Sequence, residues 1–146
     1  MEAMFEVVQA GLVRSVGVSN YDHQQTERAF TKLTAEGLTL SSNQVEYHLL
    51  DRKVEKNGLL DFCKERGIAI IAYSPLAQGL LTGKYTPDNP PSGIRGGRYS
   101  RKYLAQIQPL IAELTRIGAA HGGKSPAQVA LNWCIYKGTI PIPGVK

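Results

Sequence analysis

The segment IAIIAYSPLAQGLLTGKY, residues 68–85, joins an apolar run to a turn that carries three unexpected polar side chains. Its first residues are all apolar, which is typical of a parallel strand that is covered on both faces. Tyr73, Ser74 and Lys84 follow around two glycines, and an ordinary turn requires none of these three. The segment therefore predicts a buried strand whose carboxyl end carries a binding turn.

On both sides of this segment, strands alternate with helices. Apolar periodicity and turn residues predict strands in residues 12–20, 38–48, 68–74 and 139–144. Helices are predicted in residues 2–10, 23–36, 52–66, 102–121 and 126–137. Strands that alternate with helices run parallel and are joined by right-handed crossovers. The chain is therefore predicted to be α/β, either as an open doubly wound sheet or as part of an eight-stranded barrel.

Local residues support several of the helix boundaries. Asp22 with Gln25, and Ser125 with Gln128, have the spacing of a capping box. Pro109 lies inside the predicted helix 102–121, where it predicts a kink or a restart.

Length and composition limit the class of protein. With 146 residues and a hydrophobic share of 42%, the chain is long enough for one globular domain. None of its apolar runs reaches the length of a membrane helix, and the first residues lack the apolar core of a signal peptide. Cys63 and Cys134 lie in apolar helical patterns, which indicates buried free thiols in a reducing compartment.

The formal net charge of +5 raises the question of an anionic partner. Most basic residues are scattered over predicted helices, but one cluster lies in and after the Gly/Pro-rich loop that follows the third strand: Lys84, Arg95, Arg98, Arg101 and Lys102. A compact cluster of this kind suits a small anionic ligand better than a nucleic acid duplex, or it is a solvated loop.

Polar side chains also follow the predicted strands where each one ends. They are Ser19 and Asn20, Asn43 and Gln44 with Glu46 and His48, Tyr73 and Ser74, and the segment 144–146. Because the carboxyl ends of parallel strands meet at one edge, we expect them to form one site. Amides and hydroxyls can orient a carboxamide, an aromatic ring can stack, and turn N–H groups with nearby cations can hold phosphates. This set indicates a nicotinamide nucleotide, although the sequence has neither a GxGxxG nor a GxxxxGK[ST] motif.

Four motifs resemble, in the same order, the second half of an aldo-keto reductase: VRSVGVSNY (13–21), NQVEYH (43–48), AYSPLAQGLLTGKY (72–85) and VALNWCIYKGTIPIPGVK (129–146). The last motif is especially similar to plant and cyanobacterial members, including pyridoxal reductases. The resemblance implies the C-terminal half of a (β/α)8 TIM barrel, strands five to eight, and reduction of aldehydes and ketones to alcohols with NADP(H) and no metal. It implies a single partial domain over residues 1–146 with a lid-like loop at about 76–100.

The resemblance also implies roles at matching positions. Ser19, Asn20 and Gln44 would bind the nicotinamide carboxamide. Tyr73 would stack on the nicotinamide ring. The turn would surround the pyrophosphate with Ser74, Pro75, Leu76, Ala77, Gln78, Gly79, Leu81 and Lys84. Arg95 or Arg98 would come from the lid loop, and Gly144 and Lys146 would begin the pocket for the adenosine 2′-phosphate.

This sequence differs from the family pattern on the N-terminal side of the four motifs. The family's catalytic Asp, Tyr, Lys and His lie on the first four strands, which are absent here, so no catalytic residue is predicted and the isolated chain is expected to be inactive. The inner face of the half barrel is expected to be uncovered, with Val16, Val18, Val45, Ile70 and Ala72 short of partners. We therefore expect a complementary N-terminal half or self-association.

The leading hypothesis is the cofactor-binding half of an NADPH-dependent reductase whose substrate is a small carbonyl compound. An alternative is a non-catalytic nucleotide-sensing or partner-binding half barrel. Nucleic acid binding through the basic loop is disfavoured, and no membrane partner is expected. A cytoplasmic or chloroplast location is consistent with two reduced cysteines.

Overall fold

The computed structural model describes residues 2–144, apart from the side chains of residues 2 and 94–96. Its strands are β1 (Val16–Ser19), β2 (Leu40–Glu46), β3 (Ala69–Tyr73) and β4 (Ile140–Ile142). Its α-helices are α1 (Glu2–Gln9), α2 (His23–Ala35), α3 (Lys53–Lys56), α4 (Leu59–Glu65), α5 (Arg101–Ala120) and α6 (Pro126–Tyr136). Two stretches of 3-10 helix, Ala77–Thr82 and Gly93–Arg98, lie between β3 and α5. Within residues 2–144, none of the helices is long and apolar enough to cross a lipid bilayer.

The four strands form one parallel sheet in sequence order, with β1 and β4 at its edges. In a doubly wound sheet the strand order reverses beside the first strand, whereas the strands of a (β/α)8 barrel follow one another in sequence order. The observed order therefore agrees with half of a barrel, and the predicted α/β class is confirmed.

The helices cover one face of the sheet. Val16, Val45, Ile70 and Ala72 are at most 5% exposed and pack against α2 and α4 in the main core, and the partly buried Val18 packs against the same core. The expectation that these residues line the uncovered face is therefore wrong. Side chains alternate along a strand with a period of two, so the uncovered face carries the intervening residues instead. Those residues include Gln44, Glu46, Ile71, Tyr73, Ile140 and Ile142.

Most helix boundaries agree with the sequence. The capping boxes of α2 and α6 are both present: Asp22 accepts from the Gln25 N–H at 2.8 Å, and Ser125 accepts from the Gln128 N–H at 3.3 Å. The single helix predicted for residues 52–66 is wrong, because the chain breaks between α3 and α4. Gly58 there has a φ of +77°, which glycine adopts without steric cost.

α5 continues through Pro109 without a break, so the predicted alternative of a helix restart is wrong. The proline is exposed on a helix that runs from Arg101 to Ala120. Leu104, Ile107 and Leu114, on both sides of Pro109, are buried in the same cluster. Their packing holds both halves of the helix against one surface and outweighs the lost backbone hydrogen bond.

The segment after β3 is anchored at its base rather than loose. Ala77, Leu80 and Leu81 are at most 4% exposed and pack against α5 and α6 in a second apolar cluster. Tyr99 and Tyr103 stack on each other with ring centroids 5.9 Å apart, and the Tyr99 hydroxyl donates to Gln78 Oε1 at 3.4 Å. The lid-like loop predicted at about 76–100 thus starts from a fixed turn.

Candidate functional site

The carboxyl ends of β1, β2 and β3 are joined by hydrogen bonds among predicted site residues. Tyr73 Oη lies 3.0 Å from Asn20 Oδ1, and Asn20 Nδ2 lies 3.1 Å from Ser19 Oγ. Ser19 Oγ in turn donates to the Gln44 carbonyl at 3.1 Å, and the Asn20 N–H donates to the same oxygen at 2.8 Å. The structure therefore brings together the residues expected at the carboxamide and the ring.

Gln44 completes this group from the middle of the sheet. It lies opposite Ser19 in the β1–β2 register and opposite Ile71 in the β2–β3 register. Its side-chain amide makes no hydrogen bond with any described residue and is half-buried. A donor and an acceptor are therefore available for a ligand beside the Ser19–Asn20 pair.

Left-handed backbone at residues other than glycine is concentrated at this edge. Within residues 2–144, the non-glycine residues with positive φ are Asn20 (+56°), Ser74 (+51°), Ala77 (+49°) and Gln78 (+55°). Each costs conformational energy that the surrounding structure must offset, and such residues cluster at ligand sites. All four are among the residues predicted to contact the cofactor.

The turn after β3 differs from the expectation in one respect. The N–H groups of Ala77, Gly79 and Leu81 already donate to backbone carbonyls, at 2.8, 2.9 and 3.2 Å. Pro75 has no N–H, and the Leu81 side chain is fully buried. These three N–H groups therefore close the turn itself, and the Ser74 hydroxyl is a side-chain donor that remains for a phosphate.

The cations of the predicted basic cluster point to solvent wherever the structure describes them. Lys84, Arg98, Arg101 and Lys102 are exposed, and none of them forms an ion pair with another described residue. Gly144 is exposed after β4. The side chain of Arg95, and the whole of Lys146, lie outside the described residues.

The three histidines make contacts that explain their presence without a catalytic role. His48 Nδ1 accepts the N–H groups of Leu50 and Asp51 at 3.2 and 3.0 Å, so Nε2 carries the hydrogen and faces Glu46 Oε1 at 3.4 Å. His23 packs edge-on against Phe62, and His121 Nδ1 lies 2.8 Å from the Ile117 carbonyl.

A cavity of about 200 Å³ lies between the end of β2 and the turn after β3. Its polar lining includes Glu46, His48, Gln78 and the stacked tyrosine pair. Sequence reasoning placed Glu46 and His48 at this edge but did not reveal the cavity, because Tyr99 and Tyr103 reach it from beyond a long loop.

The described residues carry no cluster of three or more His, Cys, Asp or Glu side chains that suits a metal ion. Cys63 and Cys134 are buried free thiols, as predicted, and burial raises the pKa of each to about 11. At neutral pH both are therefore protonated and poor nucleophiles.

Comparison with known proteins gives a consistent result. A family model described as the Aldo/keto reductase family matches residues 1–146. A chloroplastic pyridoxal reductase from Arabidopsis thaliana is 43% identical over 145 residues, which is 99% of this chain and 39% of that protein. An aldo-keto reductase of Schizosaccharomyces pombe, named for NADP(+), is 32% identical over 154 residues, which is 100% of this chain and 44% of that protein.

A thermostable aldo-keto reductase solved with the inhibitor epalrestat superimposes with a TM-score of 0.71 at 31% identity. The match covers 99% of this chain and 43% of that structure. The chain thus spans less than half the length of the relatives that it matches.

Proposed function

The chain belongs to the aldo/keto reductase family, and from that premise we propose that it supplies the NADP(H)-binding part of an enzyme that reduces aldehydes or ketones to alcohols. The observation that carries the proposal is the hydrogen-bonded group Ser19–Asn20–Tyr73 beside the Gln44 amide, which has no hydrogen-bonding partner among the described residues. This group presents a ring and several amide and hydroxyl functions at one edge of the sheet.

The residues fit a nicotinamide nucleotide by their chemistry. A carboxamide needs both a donor and an acceptor, and Ser19, Asn20 and Gln44 supply them without a charge. The Tyr73 ring is half-buried at the end of β3, where it can stack on one face of a planar ring. A bound reduced nicotinamide would supply the hydride for a carbonyl carbon.

Contacts to the phosphates are proposed for side chains at the same edge. Ser74 Oγ and Lys84 Nζ have no hydrogen-bonding or ion-pair partner among the described residues. By the same resemblance, Arg95 is proposed to contribute from the lid loop, and Gly144 and Lys146 are proposed to begin the pocket for the adenosine 2′-phosphate. The turn from Pro75 to Leu81 is closed by its own backbone hydrogen bonds. The preference for NADP(H) has support from the relative that is named for it.

The acid–base groups are proposed to lie outside this chain, on a complementary N-terminal half. This chain then binds and orients the cofactor, and a proton donor from the other half completes the alcohol. The named relative of Arabidopsis thaliana acts in the chloroplast on pyridoxal, according to its name. A small aldehyde substrate, and a cytoplasmic or chloroplast location, are therefore part of this proposal.

Titration with NADPH tests the proposal directly. The chain should bind NADPH saturably, observed by nucleotide or Trp133 fluorescence, alone or mixed with a complementary N-terminal half. Gln44→Leu should weaken binding about fivefold, the cost of roughly one hydrogen bond. Gln24→Leu, on the exposed face of α2, is the matched control and should leave the affinity unchanged.

Two outcomes would change the assignment. If neither the chain nor the mixture binds NADPH, the cofactor proposal is wrong. If NADPH binds but the mixture reduces no aldehyde, the chain is instead a nucleotide-sensing module.

A further inference from the structure

We infer that the hydroxyl of Tyr73 has a role of its own, separate from ring stacking: it holds the Asn20 amide, as Ser19 has oriented it, in position for the nicotinamide carboxamide. Tyr73 is then a positioning residue as well as a stacking surface. This inference rests on the proposed function, and it concerns the same site.

The Gln44 carbonyl determines which group donates in each hydrogen bond from Ser19 through Asn20 to Tyr73. The Gln44 carbonyl can only accept, so the Ser19 hydroxyl must donate its single hydrogen to it. Ser19 Oγ can then only accept from Asn20, which places Nδ2 of the amide toward Ser19. Oδ1 therefore faces Tyr73, and the Tyr73 hydroxyl must be the donor in the 3.0 Å contact.

This arrangement of donors and acceptors leaves specific atoms of Asn20 and Ser19 available to a ligand. The second hydrogen on Asn20 Nδ2, and free lone pairs on Asn20 Oδ1 and Ser19 Oγ, are not used within the chain. If the amide turned by 180°, its Nδ2 would face Tyr73 and its Oδ1 would face Ser19 Oγ, which has no hydrogen left to donate. Ser19 therefore selects which way the amide faces, and the Tyr73 hydroxyl, which can donate or accept, holds the selected amide in place.

Asn20 depends on such support because little else holds its side chain. The residue is exposed, has a φ of +56°, and is tied to the sheet by its backbone N–H. Its side chain contacts Ser19 from its own strand end and Tyr73 from 53 residues further along. Among the described residues, the Tyr73 contact alone joins the amide to β3, so a ligand meets an amide that is already ordered.

The decisive test is a double-mutant cycle with Tyr73→Phe and Asn20→Gly. Phenylalanine keeps the ring and removes only the hydroxyl. Glycine removes the amide, and it tolerates the positive φ where alanine would be strained. Affinities are measured for NADPH and for adenosine 2′,5′-bisphosphate, which lacks the nicotinamide.

Tyr73→Phe should weaken NADPH binding about fivefold and leave binding of adenosine 2′,5′-bisphosphate unchanged. In the Asn20→Gly background, Tyr73→Phe should have no further effect, because its partner is gone. Tyr85→Phe is the matched control: this ring packs near Gly79, its hydroxyl bonds to no described residue, and neither affinity should change.

Three results would overturn the inference while leaving the proposed function intact. They are NADPH binding by Tyr73→Phe equal to that of the unaltered chain, full additivity of the two substitutions, and equal weakening of both ligands. If the unaltered chain with its complementary half binds no NADPH, the proposed function fails and this inference fails with it.

Discussion

Single residues explain how closely some elements of this chain approach each other. Gly118 lies buried near the end of α5, and its carbonyl accepts the N–H groups of His121 and Lys124 at 3.1 and 2.9 Å. A Cβ at this position would overlap the carbonyl oxygen of Lys124. The obstacle is backbone, which cannot rotate away as a long side chain can. Only glycine, which has a hydrogen atom in place of a side chain, therefore fits at position 118, where the chain turns back from α5 toward α6.

Gly118→Ala should consequently lower the free energy of unfolding by about 2–3 kcal/mol, despite the better helix propensity of alanine. Urea unfolding followed by Trp133 fluorescence measures the change. Gly97→Ala is the matched control, because a Cβ at Gly97 meets nothing within 4 Å and its φ is not positive. A loss at Gly118 no larger than at Gly97 would show that the turn relaxes easily.

At the scale of elements, one carboxylate joins three parts of the chain. Glu55 of α3 accepts from the Tyr47 hydroxyl at 2.7 Å and from Arg52 at 2.7 and 2.6 Å. It also accepts from Lys137, at the end of α6, at 3.3 Å. Trp133 of α6 lies beneath both cations and beside the Tyr47 ring. This cluster ties α3 and α6 to the end of β2.

The protonation of Glu55 gives this cluster a defined pH dependence. The hydrogen bonds from Arg52, followed by those from Tyr47 and Lys137, lower the pKa of Glu55 from 4.5 to about 2. Because the folded-state pKa is the lower one, the stabilisation is complete above about pH 4.5 and is lost as the pH falls toward 2. Burial, with Glu55 as neighbour, also raises the pKa of Tyr47 well above its ordinary value.

Glu55→Gln should therefore cost about 2 kcal/mol of unfolding free energy at pH 7, since it weakens several hydrogen bonds to a charged group. The difference from the unaltered chain should shrink as the pH is lowered from 5 to 3, measured by urea unfolding at each pH. Glu113→Gln is the control, because its pair with Arg116 is exposed and screened by water. A difference that stays constant with pH would contradict the role of the Glu55 charge.

At the scale of the whole molecule, none of the described helices covers the second face of the sheet. Ile140 and Ile142 are 55% and 44% exposed on the edge strand β4, while the opposite face is buried under helices. Both sheet edges, β1 and β4, are unpaired within the described residues. An exposed apolar surface beside a free strand edge favours association with another chain.

We accordingly expect the isolated chain to self-associate or to pair with a complementary half. The double substitution of Ile140→Ser and Ile142→Ser should shift the mass measured by light scattering toward the monomer. Tyr136→Ser should not, because Tyr136 is exposed on α6 and not in the sheet. A stable monomer with a sharp cooperative melt for the unaltered chain would contradict this expectation.

Much of the architecture was predictable because it depends on neighbours in sequence. Apolar periodicity located all four strands, and the residue types at Asp22, Gln25, Ser125 and Gln128 located two helix starts. The break at Gly58 coincides with an Asn57–Gly58 pair, which is typical of a turn. The apolar residues on both sides keep a helical spacing, however, and this spacing predicts one continuous helix. The sequence could not show which face of the sheet lies under the helices. Side chains alternate between the two faces with a period of two, and the strands carry apolar residues on both faces.

The sequence by itself determined the order of strands and helices, the parallel α/β class, and the polar residues that end each strand. Only the tertiary structure decided which of those polar groups meet. Tyr73 bonds to Asn20, Lys137 to Glu55 and Tyr99 to Gln78 across separations of 53, 82 and 21 residues. Such contacts are set by strand register and helix packing, which depend on the whole chain at once, whereas a strand or a helix start is specified by a few adjacent residues.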